Sequence, residues 1–293
     1  MSQADAFDSR GGTGRSAPAR GREVLGRSRR GPYASVAVLV PWLFPALLLF
    51  TWWLASQRGW VASQILPAPR VVLATLLEQV RSGDLFVHVG ISLGRVAGGF
   101  ALGAVVGLAL GAAMGLSRGV EAYVQPLFKA VSQVPALGWL PLAMMLLGIG
   151  ESLKIVLIAQ ASSIPIAMNT LKGIRAVPRE YVEVARSFEF SRRQLLRKVV
   201  LPAAVPSIFV GIRYGLTQAW LSLVTVELLA SSEGLGFLIV WGRQLFQLDL
   251  VLAAILVVGV VGLLLDQALA RVEARLLRWR PEAFGGAVVG VSS

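Results

Sequence analysis

Arg95, Arg213, Glu227 and Asp266 are charged side chains set inside long apolar runs. Within a bilayer such residues are costly, and they mark a solute path, a proton relay or a buried pair. The two arginines could meet an anionic solute, and the two acids could relay protons in a carrier. Each also has a structural reading. Arg95 lies within a turn or two of the end of its run and could snorkel to the interface. Arg213 could pair with a carboxylate such as Asp266, and Glu227 could lie near an interface. Gln133, Trp139, Asn169, Thr217, Gln218 and Trp220 could line a polar path; the two tryptophans could equally pack or anchor at an interface.

Other chemistry is excluded by residue type. The chain has no cysteine, so neither a disulfide framework nor a thiolate is available. One histidine, His88, cannot build a histidine-based metal site alone. No G-x-x-x-x-G-K-[ST] phosphate loop occurs, and the carboxylates are scattered away from any nucleophile–base pair. The reading is therefore a non-enzymatic chain with no cofactor.

The elements that must hold these residues are helices in lipid. Of 293 residues, 55% are hydrophobic and only 15% charged, against about 25% charged in soluble domains. Residues 1–33 are rich in Gly, Ser and Arg and read as a disordered basic tail. Six runs then follow, near Val36–Leu54, Val89–Leu116, Tyr123–Leu147, Leu153–Leu171, Ala203–Ala230 and Leu250–Leu269, each near the roughly 20 helical residues a bilayer requires. The third is interrupted by Lys129, Gln133, Pro135 and Pro141. This predicts an all-α polytopic membrane protein, with a six-span domain over 34–280 and a short tail over 281–293. The net charge of +12 is concentrated in the tail, around Arg118 and Lys129, over 172–198 and after Arg271. That places both termini in the cytoplasm by the positive-inside rule and argues against a nucleic-acid partner. "SRRGP" before the first run reads as the basic flank of an uncleaved helix.

In the second run Gly99, Gly103, Gly107, Gly111 and Gly115 recur every four residues and form one stripe, which reads as close helix packing within the chain. Between the fourth and fifth runs lies a densely charged segment, "REYVEVARSFEFSRRQLLRKVVLP". Pro178 stands at a plausible first helical position. Tyr181, Val184, Ala185 and Phe188 share one helical face, opposite Arg179, Glu180, Glu183 and Arg186. Ser191 and Gln194 form a capping-box pattern for a second helix ending before Pro202. Two short helices with a turn at Glu189–Phe190 could rest on lipid headgroups, dock a soluble partner or gate a carrier.

Here the sequence resembles the permeases of bacterial binding-protein-dependent ABC importers. Glu183, Ala185, Val199, Leu201 and Pro202 match the pattern E-A-A-x-x-x-G-x9-I-x-L-P. "ILPAPRVV", "HVGISLGRVAGGFALG", "VPALGWLPLAMMLLGIGESLKI", "WLSLVTVELLASSEGLGF" and "LARVEARLLRWRP" are similar to the nitrate, taurine and aliphatic sulfonate branch, sulfonate permeases above all. The resemblance implies a type I importer fold in the bacterial inner membrane. It implies a second permease copy (a homodimer), two ATP-binding cassette ATPase subunits and a periplasmic solute-binding protein. The 175–200 segment would supply coupling helices, with Glu183, Ala185, Arg186, Glu189, Leu201 and Pro202 at or near the ATPase contact. One motif alanine falls on Val184 and the motif glycine on Glu189. Glutamate at positive φ is uncommon, so the expectation is a turn built differently, around Phe190 and a Ser191 cap.

Overall fold

The computed structural model describes residues 33–278, with side chains from Leu43 onward. The expected basic tail and the last residues of the chain lie outside it. The chain divides into a unit ending at Thr51 and a second one from Trp52 onward. The first contains most of α1 (Tyr33–Gln57), on which the first expected run falls.

The second unit is helical among its described residues. α2 (Pro69–Ser82) begins with proline at its start, where the missing N–H costs nothing, and ends at Gly83 with φ 86°. That left-handed glycine turns the chain directly into α3 (Asp84–Leu116). α3 starts five residues earlier than the hydropathy run suggests.

α3 carries the glycine stripe, and all five glycines are buried. Their partner is α6 (Glu151–Arg175). A Cβ at Gly107 would stand 2.7 Å from the Ser163 carbonyl oxygen and 2.9 Å from Ile166 Cβ. Glycine is therefore what lets the two backbones approach, as expected for helices that gain nothing from expelling water. α6 meets α9 (Leu201–Ala230) on its other side by the same device. A Cβ at Gly215 would lie 2.7 Å from Ile166 Cγ1, and one at Gly211 2.7 Å from Asn169 Cβ. So α6 is the central helix, flanked by small-residue faces on two neighbours.

The third expected run is not one straight helix. It forms α4 (Arg118–Ser132), a 3₁₀ turn (Ala136–Trp139) and α5 (Leu140–Leu147), bent by 90°. The Pro135 ring cannot donate into a continuing ladder, and Pro141 at the start of α5 restarts it.

α7 (Arg179–Ser187) has Pro178 as its cap, one residue outside the expected start. α8 (Arg192–Leu195) does not stop before Pro202. It passes through a π-turn at Leu196–Val200 straight into α9. Proline at 202 cannot donate to the carbonyl four residues back, and its ring crowds that carbonyl. The wider turn, closed by Leu201 N–H donating to Leu196 O, carries the helix past the obstacle.

α10 (Leu235–Gln244) and α11 (Leu248–Leu276) complete the unit. Leu85, Val96, Ile158, Trp220, Leu223, Leu235, Leu238 and Ala254 form a core shared by α3, α6, α9, α10 and α11. Among the described residues four helical stretches are long and apolar enough to span a membrane, or five if the bent pair counts as one. α2 and α10, too short or too polar to register as hydropathy runs, were not anticipated.

Candidate functional site

The densest polar constellation joins α3, α6, α9 and the loop into α10. Arg95 donates from Nε and Nη2 to both Glu151 oxygens at 2.8 and 2.7 Å, a bidentate fork. Its Nη1 reaches Glu227 Oε1 at 2.8 Å and the Glu233 carbonyl at 2.8 Å. Glu227 also accepts from Ser92 Oγ at 2.9 Å and from the Gly236 N–H at 2.9 Å. Ser92 Oγ in turn accepts from the Leu235 N–H at 2.9 Å, and Lys154 Nζ donates to Glu151 at 2.7 Å. Arg95 is 5% exposed and Glu227 1%. Of the two readings of Arg95, snorkelling to the interface does not fit this geometry: Glu227 and Glu151 hold its guanidinium.

Sequence order explains how the loop wraps the carboxylate. Gly234 takes φ +103°, and a Cβ at Gly236 would stand 2.6 Å from Glu227 Cβ. The stretch "EGLG" is therefore shaped around Glu227. Two arginine–glutamate and one lysine–glutamate contacts form a neutral set of four charged side chains. Such an arrangement is a clamp at one end of the bundle, well suited to fixing helix positions. Sequence reading missed Glu151, Lys154 and Ser92; the i,i+3 pair Glu151–Lys154 at a helix start was the available signal.

The other expected path residues do not converge. Arg213 pairs with Asp266 at 2.8 and 2.9 Å, joining α9 to α11 on an exposed face, with Glu273 near by. Thr217 donates its hydroxyl to the Arg213 carbonyl. Trp220 is buried in the core, with its indole against Gly262. Asn169 donates to the Pro165 carbonyl at 2.8 Å, while its own carbonyl accepts from Ser207. Trp139 is half-buried beside Leu140 and Leu153, and Gln133 lies exposed at the α4–α5 break. His88 accepts the Gly234 N–H at Nδ1, 3.0 Å away, a structural contact.

At the opposite end of α6 lies the charged segment, and it is open. Ala185 is the buried residue of α7, whereas Tyr181, Val184 and Phe188 stand 59%, 56% and 73% exposed beside exposed Glu183, Arg186 and Glu189. Apart from Ala185, the apolar face points outward. Glu189 corrects the expectation of a differently built turn. It adopts φ 55°, its N–H bonds to the Arg186 carbonyl at 2.8 Å, and the Phe190 N–H bonds to the Ala185 carbonyl at 3.1 Å. That is a Schellman turn, the turn glycine would make, with glutamate bearing the strain. Ser191 and Gln194 form the capping box in both directions, and the Lys198 ammonium lies 5.5 Å over the Phe190 ring. Leu201 is exposed and Pro202 half-buried, at the base of α9.

Residues 99–278 match the family described as the binding-protein-dependent transport system inner membrane component. A Bacillus subtilis (strain 168) chain named as an aliphatic sulfonates transport permease protein, SsuC, is 40% identical over 81% of this chain and 86% of its own. The taurine transport system permease protein TauC of Escherichia coli (strain K12) is 36% identical over 81% and 88%. The nitrate import permease protein NrtB of a Synechocystis strain is 34% identical over 85% and 94%. Among solved structures, an inward-facing MetNI methionine ABC transporter chain superposes with TM-score 0.55 at 19% identity, covering 68% of this chain and 97% of that one. A chain of an amino acid ABC transporter crystallised with histidines gives 0.53 at 18%, covering 70% and 98%.

Proposed function

The chain belongs to the binding-protein-dependent transport system inner membrane component family, and from that premise we propose that it is the permease subunit of an ATP-driven importer of a small anion. The solute class follows the relatives, with aliphatic sulfonates first and taurine or nitrate behind them. The observation that carries the reading is α7. Its exposed Tyr181, Val184 and Phe188, edged by Glu183 and Arg186, form an amphipathic surface held rigidly by the Schellman turn and the capping box. That surface suits a cleft in a separate ATPase chain, and the basic flank Arg192, Arg193, Arg197 and Lys198 supports a cytoplasmic position for it. Closure of two ATPase subunits would move α7 and α8. The π-turn at Leu196–Val200 would pass that motion into α9 of each copy in a permease homodimer. A periplasmic binding protein would deliver the solute. The carrier alternative loses ground because both candidate relay acids are committed to arginines, Glu227 to Arg95 and Asp266 to Arg213.

Purification of the tagged chain in mild detergent tests the proposal. A stoichiometric ATPase should accompany the wild type and be lost from Glu183→Arg. Recovery of the wild-type chain alone, without ATPase activity, would overturn it.

A further inference from the structure

α2 is fastened at three places, and each lies toward the end of another helix. Before its first turn, the Pro67 carbonyl accepts from Nε1 of Trp52, late in α1, at 3.1 Å. At its middle, Thr75 Oγ1 donates to Asp249, the second residue of α11. Past its last turn, Gly83 leads directly into Asp84, the first residue of α3. A helix tied in this way lies across the ends of its neighbours. That end is opposite α7: Gly115, at the far end of α3, packs against Ile174, and α7 begins soon after at Arg179.

The side chains of α2 divide into three faces. Val72 is buried, and Thr75 and Leu76 beside it meet the bundle. Leu73, Leu77 and Val80 follow at steps of four and three and form an open apolar flank. Arg70 and Arg81 stand eleven residues apart, which brings them to within about 20° of one line along the helix, and both are exposed. Neither takes part in an ion pair among the described residues. Water around α2 would leave the apolar flank wet, and hydrocarbon around it would leave the arginines without solvent or counter-charge. A membrane surface satisfies both flanks at once.

We propose that α2 is an in-plane helix of the membrane surface away from α7, with Leu73, Leu77 and Val80 among the acyl chains and Arg70 and Arg81 on lipid phosphates. Two observations make lipid the occupant. The unpaired arginines complement phosphate oxygens, which lie at the depth where a helix of this kind settles. The helices that α3 and α11 form are long and apolar enough to span a membrane, and both carry exposed apolar side chains toward the end that α2 crosses, Phe86 and Val87 on α3 and Ile255 and Leu256 on α11. The apolar flank of α2 is thus joined to surfaces that already face lipid. The proposal holds whichever solute is carried.

The sequence has no cysteine, so Leu77→Cys and Glu78→Cys each give the full-length chain one site for a bimane label; Leu73→Cys repeats the first reading one turn away. In nanodiscs of phosphatidylethanolamine and phosphatidylglycerol, quenching is measured with nitroxides on the lipid headgroup, high on the acyl chain and near its end, and with aqueous iodide. The labels at 73 and 77 should be quenched about twofold more by the shallow acyl nitroxide than by the deep one, as a flank roughly 5–10 Å into the boundary requires. The label at 78 should respond to the headgroup nitroxide, and about twofold more strongly to iodide than the label at 77. Replacing both arginines, Arg70→Gln with Arg81→Gln, should lower headgroup quenching at 78 about twofold. Strongest quenching at 73 and 77 by the deep nitroxide would make α2 part of a span and overturn the proposal. Iodide quenching as strong at 77 as at 78 would overturn it as well, and protection of both labels by added binding protein would then give the flank to that partner. Unchanged headgroup quenching in the arginine variant would overturn the phosphate contact. None of these outcomes bears on whether the chain is an importer subunit.

Discussion

Arg95 shows why a charged residue in an apolar run is a poor guide to its own role. Its position was visible in the sequence, but its partners Glu151 and Glu227 stand 56 and 132 residues away, so only the fold reveals a closed set. The energetics then make a sharp prediction. Arg95→Leu alone leaves Glu227 buried without its counter-charge, and Glu227→Leu alone leaves Arg95 under-paired; each should cost about 3–5 kcal/mol. The double variant keeps Glu151 and Lys154 as a pair, so it should unfold at a higher temperature than either single variant in detergent. Equal or greater loss in the double variant would contradict the clamp. Glu189 is the reverse case. The sequence showed the missing glycine, but that glutamate would accept φ 55° was decided by the two turn hydrogen bonds around it. Glu189→Gly should relieve about 1 kcal/mol of left-handed strain and leave transport near wild type. A severe loss of transport, with the protein still folded, would assign the Glu189 carboxylate a contact of its own.

At the level of elements, the four-residue glycine spacing announced the tightest packing in the molecule before any partner was known. Spacing alone could not say whether the partner was α6 or a second copy. The buried stripe faces Ile158, Ile166 and Thr170 of the same chain, which decides it. The α4–α5 bend was foreshadowed by Pro135 and Pro141, whereas the continuation of α8 into α9 was hidden, because a π-turn has no sequence signature beyond the proline it accommodates. α2 and α10 escaped the hydropathy reading because they are short, 14 and 10 residues, well under the roughly 20 that a span requires. If α3 and α6 meet as described, Gly107→Leu must push a branched side chain against the Ser163 carbonyl. Overpacking of this kind costs about 1–3 kcal/mol. The expected result is lower yield and a broadened size-exclusion peak, with Gly90→Leu, which has open space around it, behaving as wild type. Normal behaviour of the Gly107 variant would place the α3–α6 contact elsewhere.

At the scale of the whole molecule, the coupling role proposed for α7 requires that its end of the bundle face the cytoplasm. The basic residues gather at the α7–α8 end, which the positive-inside rule assigns to the cytoplasm. The Arg95 clamp lies at the other end of α6, where Lys154 and Arg95 are paired with Glu151 and Glu227. The absence of cysteine from the sequence makes the test clean, since any introduced thiol is the sole target. Ser187 is exposed in the charged segment and Ser63 is exposed before α2. A cysteine at 63 should react with a membrane-impermeant maleimide in intact spheroplasts, and a cysteine at 187 only after lysis. The reverse pattern would put α7 and its exposed Tyr181, Val184 and Phe188 outside the cell. No ATP-hydrolysing partner works there, so the coupling role proposed for that surface would fall with the orientation.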